Sequence, residues 1–429
     1  MNMKAMALAM LLSASAWAQE KIPFEGIDQT WQNGADRRDS ALWSGGKYFK
    51  PSLLIDLNYN YSFNDPIDNT VVGSTALARH NELQLAALHA GGDFGYDNMR
   101  ARVMLQMGTR STIVPRNDYS PYRGQYDLTA VYRYLSEAYA GYHIDVAYGL
   151  NIDAGLFLSY IGLNSYYQAE NWEYQASYTS DNTPWFFTGA RLQIFPTDRL
   201  KIEPWLINGW QTYGMFNELP GVGLQVDWRP EEWLRVIGSA YVGWDTPNAP
   251  GRVRFHTDDS VEVRYWNAPR SLLSKAAFSL TQDYGFENGD GVTAFGGSGG
   301  PAQSFVSGML YHRLWFFEDH LGWTVGGGYI HNPGRYLALL PTGAGVLTQN
   351  PGDDFDAWDV STNLQYMPGP YNTWGLELVH RRANTPYFSG HGGVTSKSGW
   401  SLPIGDPAGF SADLQKRETR IILSHIFRM

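Results

Sequence analysis

The sequence predicts an all-β fold, namely a transmembrane antiparallel up-and-down β-barrel of about 16 strands, within a range of 12 to 18. Three observations predict it. The N-terminus resembles an export signal, several segments alternate between apolar and polar residues, and short turns alternate with long loops. Together these features are typical of barrels in bacterial outer membranes.

The first 18 residues have the layout of a secretory signal peptide. Lys4 precedes an apolar run from Ala5 to Leu12, and Ala16-Trp17-Ala18 supplies the small residues of a cleavage site. We therefore expect three parts: a signal peptide over 1–18, an N-terminal leader over 19–50 that is periplasmic or plugs the barrel, and an outer-membrane barrel over 51–429.

The composition excludes several classes of protein. No apolar stretch of about eighteen residues follows the signal, so helical membrane spans are excluded. The chain has no cysteine, so no disulfide framework supports it. The formal net charge of −10 disfavours nucleic-acid binding and favours cations. Aromatic residues reach 15%, as the girdles at the two faces of a membrane require.

Period-2 alternation is the strongest signal. From Leu53 to Phe63 every odd residue is apolar or aromatic, whereas Asp56, Asn58 and Asn60 fill the other face. In a helix these polar residues would lie all around the circumference. The run is therefore predicted to be a strand with one apolar side and one polar, water-facing side, here called its wet face. The same alternation recurs over 99–107, 221–229 and 358–366.

The lengths of the connections predict which end of each strand faces the periplasm. Tight turns are expected at 92–95, 196–199, 230–232, 317–320 and 368–371, and long loops at 64–79, 110–125, 161–183, 285–302, 332–354 and 386–413. Short connections are periplasmic in such barrels, so an even strand number places both termini in the periplasm. The expected strands are 51–63, 80–91, 97–109, 126–141, 146–160, 184–195, 200–212, 219–228, 233–244, 253–266, 272–284, 303–316, 321–331, 355–367, 373–385 and 414–428. Segment 253–266 contains the turn-like residues 257–260 and has a small hairpin as its alternative.

The wet faces supply candidate pore-lining residues of both charges. If acidic and basic residues face one another, they create a transverse field that favours hydrated, dipolar solutes. Structural pairing within the wall is the alternative for any single residue. Asp145 joins the acidic side, and the candidates are Asp56, Asn58, Asn60, Arg100, Arg102, Arg191, Gln225, Asp227, Arg235, Lys275, Arg313, Asp359, Asn363 and Glu377.

Aromatic residues on the same faces suggest a second option. Trp205, Tyr311 and Trp315 could stack against sugars along the channel. The membrane girdles already account for an aromatic surplus, so general diffusion is favoured over a sugar-specific channel.

Neither catalysis nor a metal site is predicted. Gly296-Gly297-Ser298-Gly299-Gly300 has the spelling of a nucleophile elbow, but it lies in a glycine run without the required strand-to-helix turn. Two acidic stretches, 353–359 and 283–290, could ligate a hard divalent cation. Neither has the full calcium-loop spacing, so we interpret both as solvated loops. We expect no cofactor and no catalytic residue.

Several segments resemble the outer-membrane β-barrel porin family of the OmpL-like, porin-2 type. They are 59–66 with 81–85, 183–191, 207–210 and 332–337. The resemblance spans most of the mature chain and implies an outer-membrane porin without catalytic residues.

The expected function is a water-filled channel for passive diffusion of small hydrophilic solutes or ions. The expected partners are outer-membrane lipid and lipopolysaccharide, the barrel-assembly machinery and the solutes, with a homo-oligomer as an option and no nucleic acid. Phe427 lies near the chain end, where assembly signals occur, although Arg428 and Met429 follow it. The alternatives are a barrel hydrolase with an active site at its rim and an exported soluble β-sandwich.

Overall fold

The computed structural model describes residues 24, 27–28, 31–32, 46–334, 336, 354–396 and 410–429. The expected signal peptide and most of the leader lie outside the described residues. No helix in the described part of the chain is long and apolar enough to cross a membrane.

Sixteen antiparallel strands close into one barrel, as the sequence predicted. Each strand pairs with its neighbours in the chain, and closure comes from the first strand meeting the last, with Ile55 opposite Phe427 and Tyr59 opposite Leu423. The barrel strands are β1 (Phe49–Ser62), β2 (Leu83–Tyr96), β3 (Met99–Met107), β4 (Leu135–Ile144), β5 (Leu150–Leu158), β6 (Phe186–Thr197), β7 (Leu200–Ile207), β8 (Gly221–Glu231), β9 (Leu234–Gly243), β10 (Val253–Asn267), β11 (Leu273–Asn288), β12 (Ser304–Phe316), β13 (Leu321–Asn332), β14 (Phe355–Gly369), β15 (Asn372–Ala383) and β18 (Arg417–Arg428). A separate two-stranded sheet joins β16 (Phe388–Ser389) to β17 (Leu414–Gln415).

Short helices occupy the loops. They are α1 (Arg110–Ile113), α2 (Leu128–Tyr132) and α3 (Tyr178–Asp181), together with 3₁₀ turns at Val114–Asn117, Ser120–Tyr122 and Gln168–Glu170. Asp127 caps α2, because its carboxylate accepts a hydrogen bond from the backbone N–H of Ala130 at 2.9 Å.

The barrel is inverted relative to a soluble protein. In β8 the polar residues Gln225 and Asp227 are buried inside, whereas Leu224 and Trp228 are more than 40% exposed outside. Such an apolar belt around a closed sheet is stable in lipid, where closure also leaves no backbone group unpaired at an edge.

Short and long connections alternate around the barrel. The short-turn end carries 97–98, 145–149, 198–199, 232–233, 268–272, 317–320 and 370–371. The long-loop end carries 63–82, 108–134, 159–185, 208–220, 244–252 and 289–303, together with the described residues 333–334, 336, 354, 384–396 and 410–416.

Two of the local predictions were wrong. The expected turn at 92–95 lies within β2, because the chain reverses at Asp97, whose φ of 54° is left-handed. The strand expected over 126–141 begins only at Leu135, since helix α2 occupies its first part. The strand predicted over 253–266 is confirmed as β10, which is continuous and paired on both edges, so the alternative of a small hairpin is wrong.

Candidate pore constriction

The loop over 159–185, here called the inner loop, folds into the barrel. Its residues from 171 to 185 are all buried, although they belong to no barrel strand. Tyr174 attaches it to β1, since its hydroxyl donates to Asp56 Oδ1 at 2.8 Å and accepts from Asn58 Nδ2 at 2.9 Å.

Two carboxylates of neighbouring strands hold the next turn of the inner loop. Glu377 in β15 accepts hydrogen bonds from the backbone N–H groups of Tyr174 (2.6 Å) and Gln175 (3.1 Å). Asp359 in β14 accepts from Ser177 Oγ at 2.9 Å. These three hydrogen bonds hold this side of the inner loop against the wall.

The inner loop also contacts the opposite wall. Gln225 in β8 donates to the carbonyl oxygen of Tyr160 at 2.5 Å, and Arg313 in β12 donates to that of Trp172 at 3.0 Å. The Tyr167 hydroxyl donates to Glu137 of β4 at 2.6 Å. The inner loop therefore crosses the lumen and narrows it from several sides.

Arg381 joins the inner loop to the loop over 63–82. This fully buried guanidinium pairs with Asp181 at 2.7 Å and donates to the carbonyl oxygens of Ala176 and Gly73. Asp181 in turn accepts from the backbone N–H (3.0 Å) and hydroxyl (2.7 Å) of Thr75. One ion pair thus ties two loops to β15.

The remaining wall charges form pairs along neighbouring strands. Asp227 lies between Arg229 and Arg235, each at 3.1 Å, and Arg235 reaches Glu262 at 3.0 Å. On the other side of the barrel, Arg191 and Arg100 share Asp153 at 3.1 and 3.3 Å. Opposite charges therefore alternate at contact distance along the wall, which favours the alternative of structural pairing for these residues.

All fourteen candidate residues lie on the inner face of the strands, and they fall into three groups. Asp56, Asn58, Gln225, Arg313, Asp359 and Glu377 contact the inner loop, and Asn363 donates to Glu377 at 2.7 Å. Arg100, Arg102, Arg191, Asp227 and Arg235 form wall ion pairs. Asn60 donates to the carbonyl oxygen of Arg79, and Lys275 pairs with Asp319 in a short turn. Asp145 lies exposed in the turn 145–149 and does not face the lumen.

A small recess of about 20 Å³ remains between the inner loop and strands β10–β12. Its lining includes three carboxyl side chains, Glu170, Glu173 and Glu262, beside the ring of Tyr311. Burial raises the pKa of the Glu173 carboxyl to about 7, although the Asn164 amide and Arg313 both act to lower it. The charge of the recess therefore changes in the neutral pH range.

The three inner aromatic residues do not form an open stacking track. Trp205 stacks on Tyr160 of the inner loop at 4.9 Å, and Trp315 meets the edge of Trp172 at 5.5 Å. Tyr311 is 2% exposed. The rings of Trp205 and Trp315 are therefore covered by other rings.

The described leader residues before position 46 include Trp31 and Asp28, which lie against the short-turn end. Trp31 is fully buried beside Trp172 and Trp315, and its indole N–H donates to the carbonyl oxygen of Glu232 at 2.9 Å. The Trp172 indole donates to the carbonyl oxygen of Trp31 at 3.1 Å. Asp28 pairs with Arg264 at 2.6 Å.

The glycine run at 296–300 lies among turns within the loop 289–303. It has neither the preceding strand nor the following helix that aims a nucleophilic serine in a hydrolase. The run is therefore a loop feature.

Sequence reasoning missed the inner loop itself and its clamp, Arg381. The sequence does carry one signal of the inner loop. The predicted external loop 161–183 holds five aromatic residues, namely Tyr166, Tyr167, Trp172, Tyr174 and Tyr178. So many aromatic side chains are unusual for a solvated loop and indicate burial.

Solved structures of outer-membrane proteins share the fold. The outer membrane channel DcaP of Acinetobacter baumannii matches with 9% identity and a TM-score of 0.50, covering 89% of this chain and 97% of that one. An anion-selective porin from Comamonas acidovorans matches with 8% identity and a TM-score of 0.50, covering 89% and 99%. No curated protein matches the sequence.

A family model assigns the chain. The model described as "Putative beta-barrel porin-2, OmpL-like" matches residues 48–405, which cover β1 to β15 and therefore most of the barrel. With its closed barrel of sixteen strands, this chain belongs to that family of β-barrel porins and is a multi-pass channel protein of the outer membrane.

Proposed function

We propose that this porin conducts small hydrophilic solutes and ions by passive diffusion, with cations preferred, past the recess beside the inner loop. The observation that carries this is the position of Glu170 and Glu173 in the recess, where Glu262 is already paired with Arg235. Carboxylates at a constriction raise the local concentration of cations and repel anions.

Buried polar atoms of the wall support a hydrated lumen. Among the described residues, all three guanidinium nitrogens of Arg110, two of Arg420, Asp56 Oδ2 and Asn60 Oδ1 have no protein hydrogen-bond partner. Buried groups of this kind are satisfied by water in native proteins, since leaving one unpaired costs about 1–3 kcal/mol.

Planar-bilayer recording tests the proposal. In a KCl gradient at pH 8, the wild-type protein should open channels whose reversal potential shows preference for K⁺ over Cl⁻. The double variant Glu170→Gln with Glu173→Gln should move that potential towards zero. Glu218→Gln, which removes a carboxylate from the loop 208–220, is the matched control and should leave it unchanged. An absence of channels, or a wild-type preference for Cl⁻, would refute the proposal.

The leader belongs to the proposal as well. Cleavage after Ala18 leaves a segment whose Trp31 and Asp28 sit at the short-turn end, which we place in the periplasm together with both termini. Trp31 is hydrogen-bonded both to Glu232 in a short turn and to Trp172 in the inner loop. The leader therefore narrows the pore at its short-turn end and stabilises the inner loop.

Replacing Trp31 with alanine should raise single-channel conductance, because the exit widens and Trp172 loses a partner. Trp233→Ala is the control, since Trp233 is 48% exposed in the adjacent turn. Equal conductance in the Trp31→Ala variant and the wild type would show that the leader does not restrict the pore.

The outer-membrane location of the barrel implies its remaining molecular partners. The exposed apolar belt contacts lipid and lipopolysaccharide, the C-terminal strand presents Phe427 to the assembly machinery, and copies of the chain associate as a homo-oligomer. The hydrolase alternative has no supporting observation. Mass measurement in detergent, by light scattering, tests the oligomer.

A further inference from the structure

Three metal-ligating side chains meet on the outer face of the barrel at its long-loop end. They are His331 at the end of β13 and Asp354 and Asp356 at the start of β14, and one ligand atom from each lies within 4.8 Å of the others. His331 and Asp356 are opposite one another in the strand register, with His331 Nδ1 and Asp356 Oδ1 at 2.7 Å.

A third strand end holds this cluster in place. Asn384, just after β15, donates from its side-chain amide to Asp354 Oδ2 at 2.8 Å. Its carbonyl Oδ1 accepts from the backbone N–H of Asp356 at 3.0 Å, and its own backbone N–H donates to the carbonyl oxygen of Asp356 at 2.8 Å. The ligands are therefore arranged in advance by the sheet, which lowers the entropic cost of binding an ion.

In the described part of the chain, no lysine or arginine balances the negative charge of the cluster. Among the described residues, no lysine or arginine lies within 4.0 Å of a carboxylate oxygen of Asp354 or Asp356. Two carboxylates held this close repel one another, and a dication between them would remove the repulsion. His331 is 48% exposed, so an ion has free access and water can complete its coordination.

The donor set selects the class of ion. Imidazole with two carboxylates suits first-row transition metals and Zn²⁺, whereas Ca²⁺ and Mg²⁺ take oxygen ligands alone. We propose that His331, Asp354 and Asp356 form a surface site for a first-row transition-metal dication of the Zn²⁺ class, independent of solute passage. The sequence alone shows only the acidic stretch 353–359, because His331 joins Asp356 through the strand register of the folded barrel.

Titration calorimetry of the untagged, full-length protein in detergent with ZnCl₂ tests the site. We expect one equivalent to bind, and His331→Gln or Asp356→Asn to weaken the affinity by at least about tenfold, the lower end of what loss of a supporting residue costs elsewhere. Titration with CoCl₂ should give the visible absorption of a nitrogen-ligated ion in the wild type and not in His331→Gln.

His391→Gln is the matched control, because His391 is also exposed and lies 3.6 Å from Asp65 but belongs to no group of three ligating side chains among the described residues. Its Zn²⁺ binding should equal that of the wild type. The proposal is overturned if the wild type binds no Zn²⁺, if His331→Gln binds it unchanged, or if CaCl₂ binds as tightly as ZnCl₂. Heat-modifiable gel migration shows that each variant is folded.

Discussion

Arg381 connects the inner loop, the loop over 63–82 and strand β15 at the constriction. It is fully buried and joins Asp181, Ala176 and Gly73 to β15. Arg381→Gln should leave the Asp181 carboxylate without its partner, at a cost of about 3–5 kcal/mol for a broken buried pair. The inner loop should then detach, while the barrel stays closed.

The measurement for Arg381→Gln is single-channel conductance together with limited proteolysis of the folded protein. We expect a larger conductance and new cleavage within 159–185. Arg382→Gln is the control, because Arg382 is the next residue and faces outwards. Unchanged conductance and protection in Arg381→Gln would show that other contacts suffice to hold the inner loop.

The raised pKa of Glu173 predicts that both the folding stability and the ion selectivity depend on pH. Burial raises its pKa from 4.5 to about 7, so the folded protein holds the proton more tightly than the unfolded chain. The stabilisation from this neutral carboxyl is fully present below 4.5 and is lost as the pH rises through about 7. The same ionisation places a negative charge at the recess, so the K⁺/Cl⁻ permeability ratio should increase between about pH 6 and pH 8.

Reversal potentials recorded across that pH range check this, with Glu173→Gln as the comparison. In Glu173→Gln the K⁺/Cl⁻ permeability ratio should not change with pH. If the wild-type ratio does not change either, or if its increase persists in Glu173→Gln, the titrating group is not Glu173.

At the scale of single elements, period-2 alternation predicted the inner and outer faces of the strands because it is local. Asp56 and Asn58 needed only their neighbours to be placed inside. The partners of the inner loop could not be predicted in this way, since Tyr174 and Asp56 are 118 residues apart. Burial of that loop depends on contacts that exist only after the barrel closes.

The outward faces of the strands predict a position-dependent cost of charge. Leu280 lies halfway along β11 and is 50% exposed, so Leu280→Arg places a cation at mid-membrane, at a cost of about 2–4 kcal/mol. Leu83→Arg makes the same change at the first residue of β2, where about 0–1 kcal/mol is expected. Denaturant titration in lipid vesicles, followed by heat-modifiable migration, compares the two, and equal costs would contradict the assignment of the lipid-facing belt.

At the scale of the whole molecule, one pairing closes the sheet, because β18 is bonded to β15 on one edge and to β1 on the other. Deleting 417–429 would therefore expose two edges at once, with every backbone group along them unpaired in lipid. We expect this truncated chain to fail to fold in detergent or vesicles and to remain unchanged in gel migration on boiling.

A cleaved chain should behave differently. A protease site inserted beside the exposed residue Ser411, between β15 and β18, should allow the folded protein to be cut while β18 stays paired through the registers of Leu54–Ser62 and Asn372–Arg382. The cut barrel should migrate as one compact species unheated and as two fragments after boiling. Separation of the fragments without heating would mean that chain continuity, and not strand pairing, keeps this barrel closed.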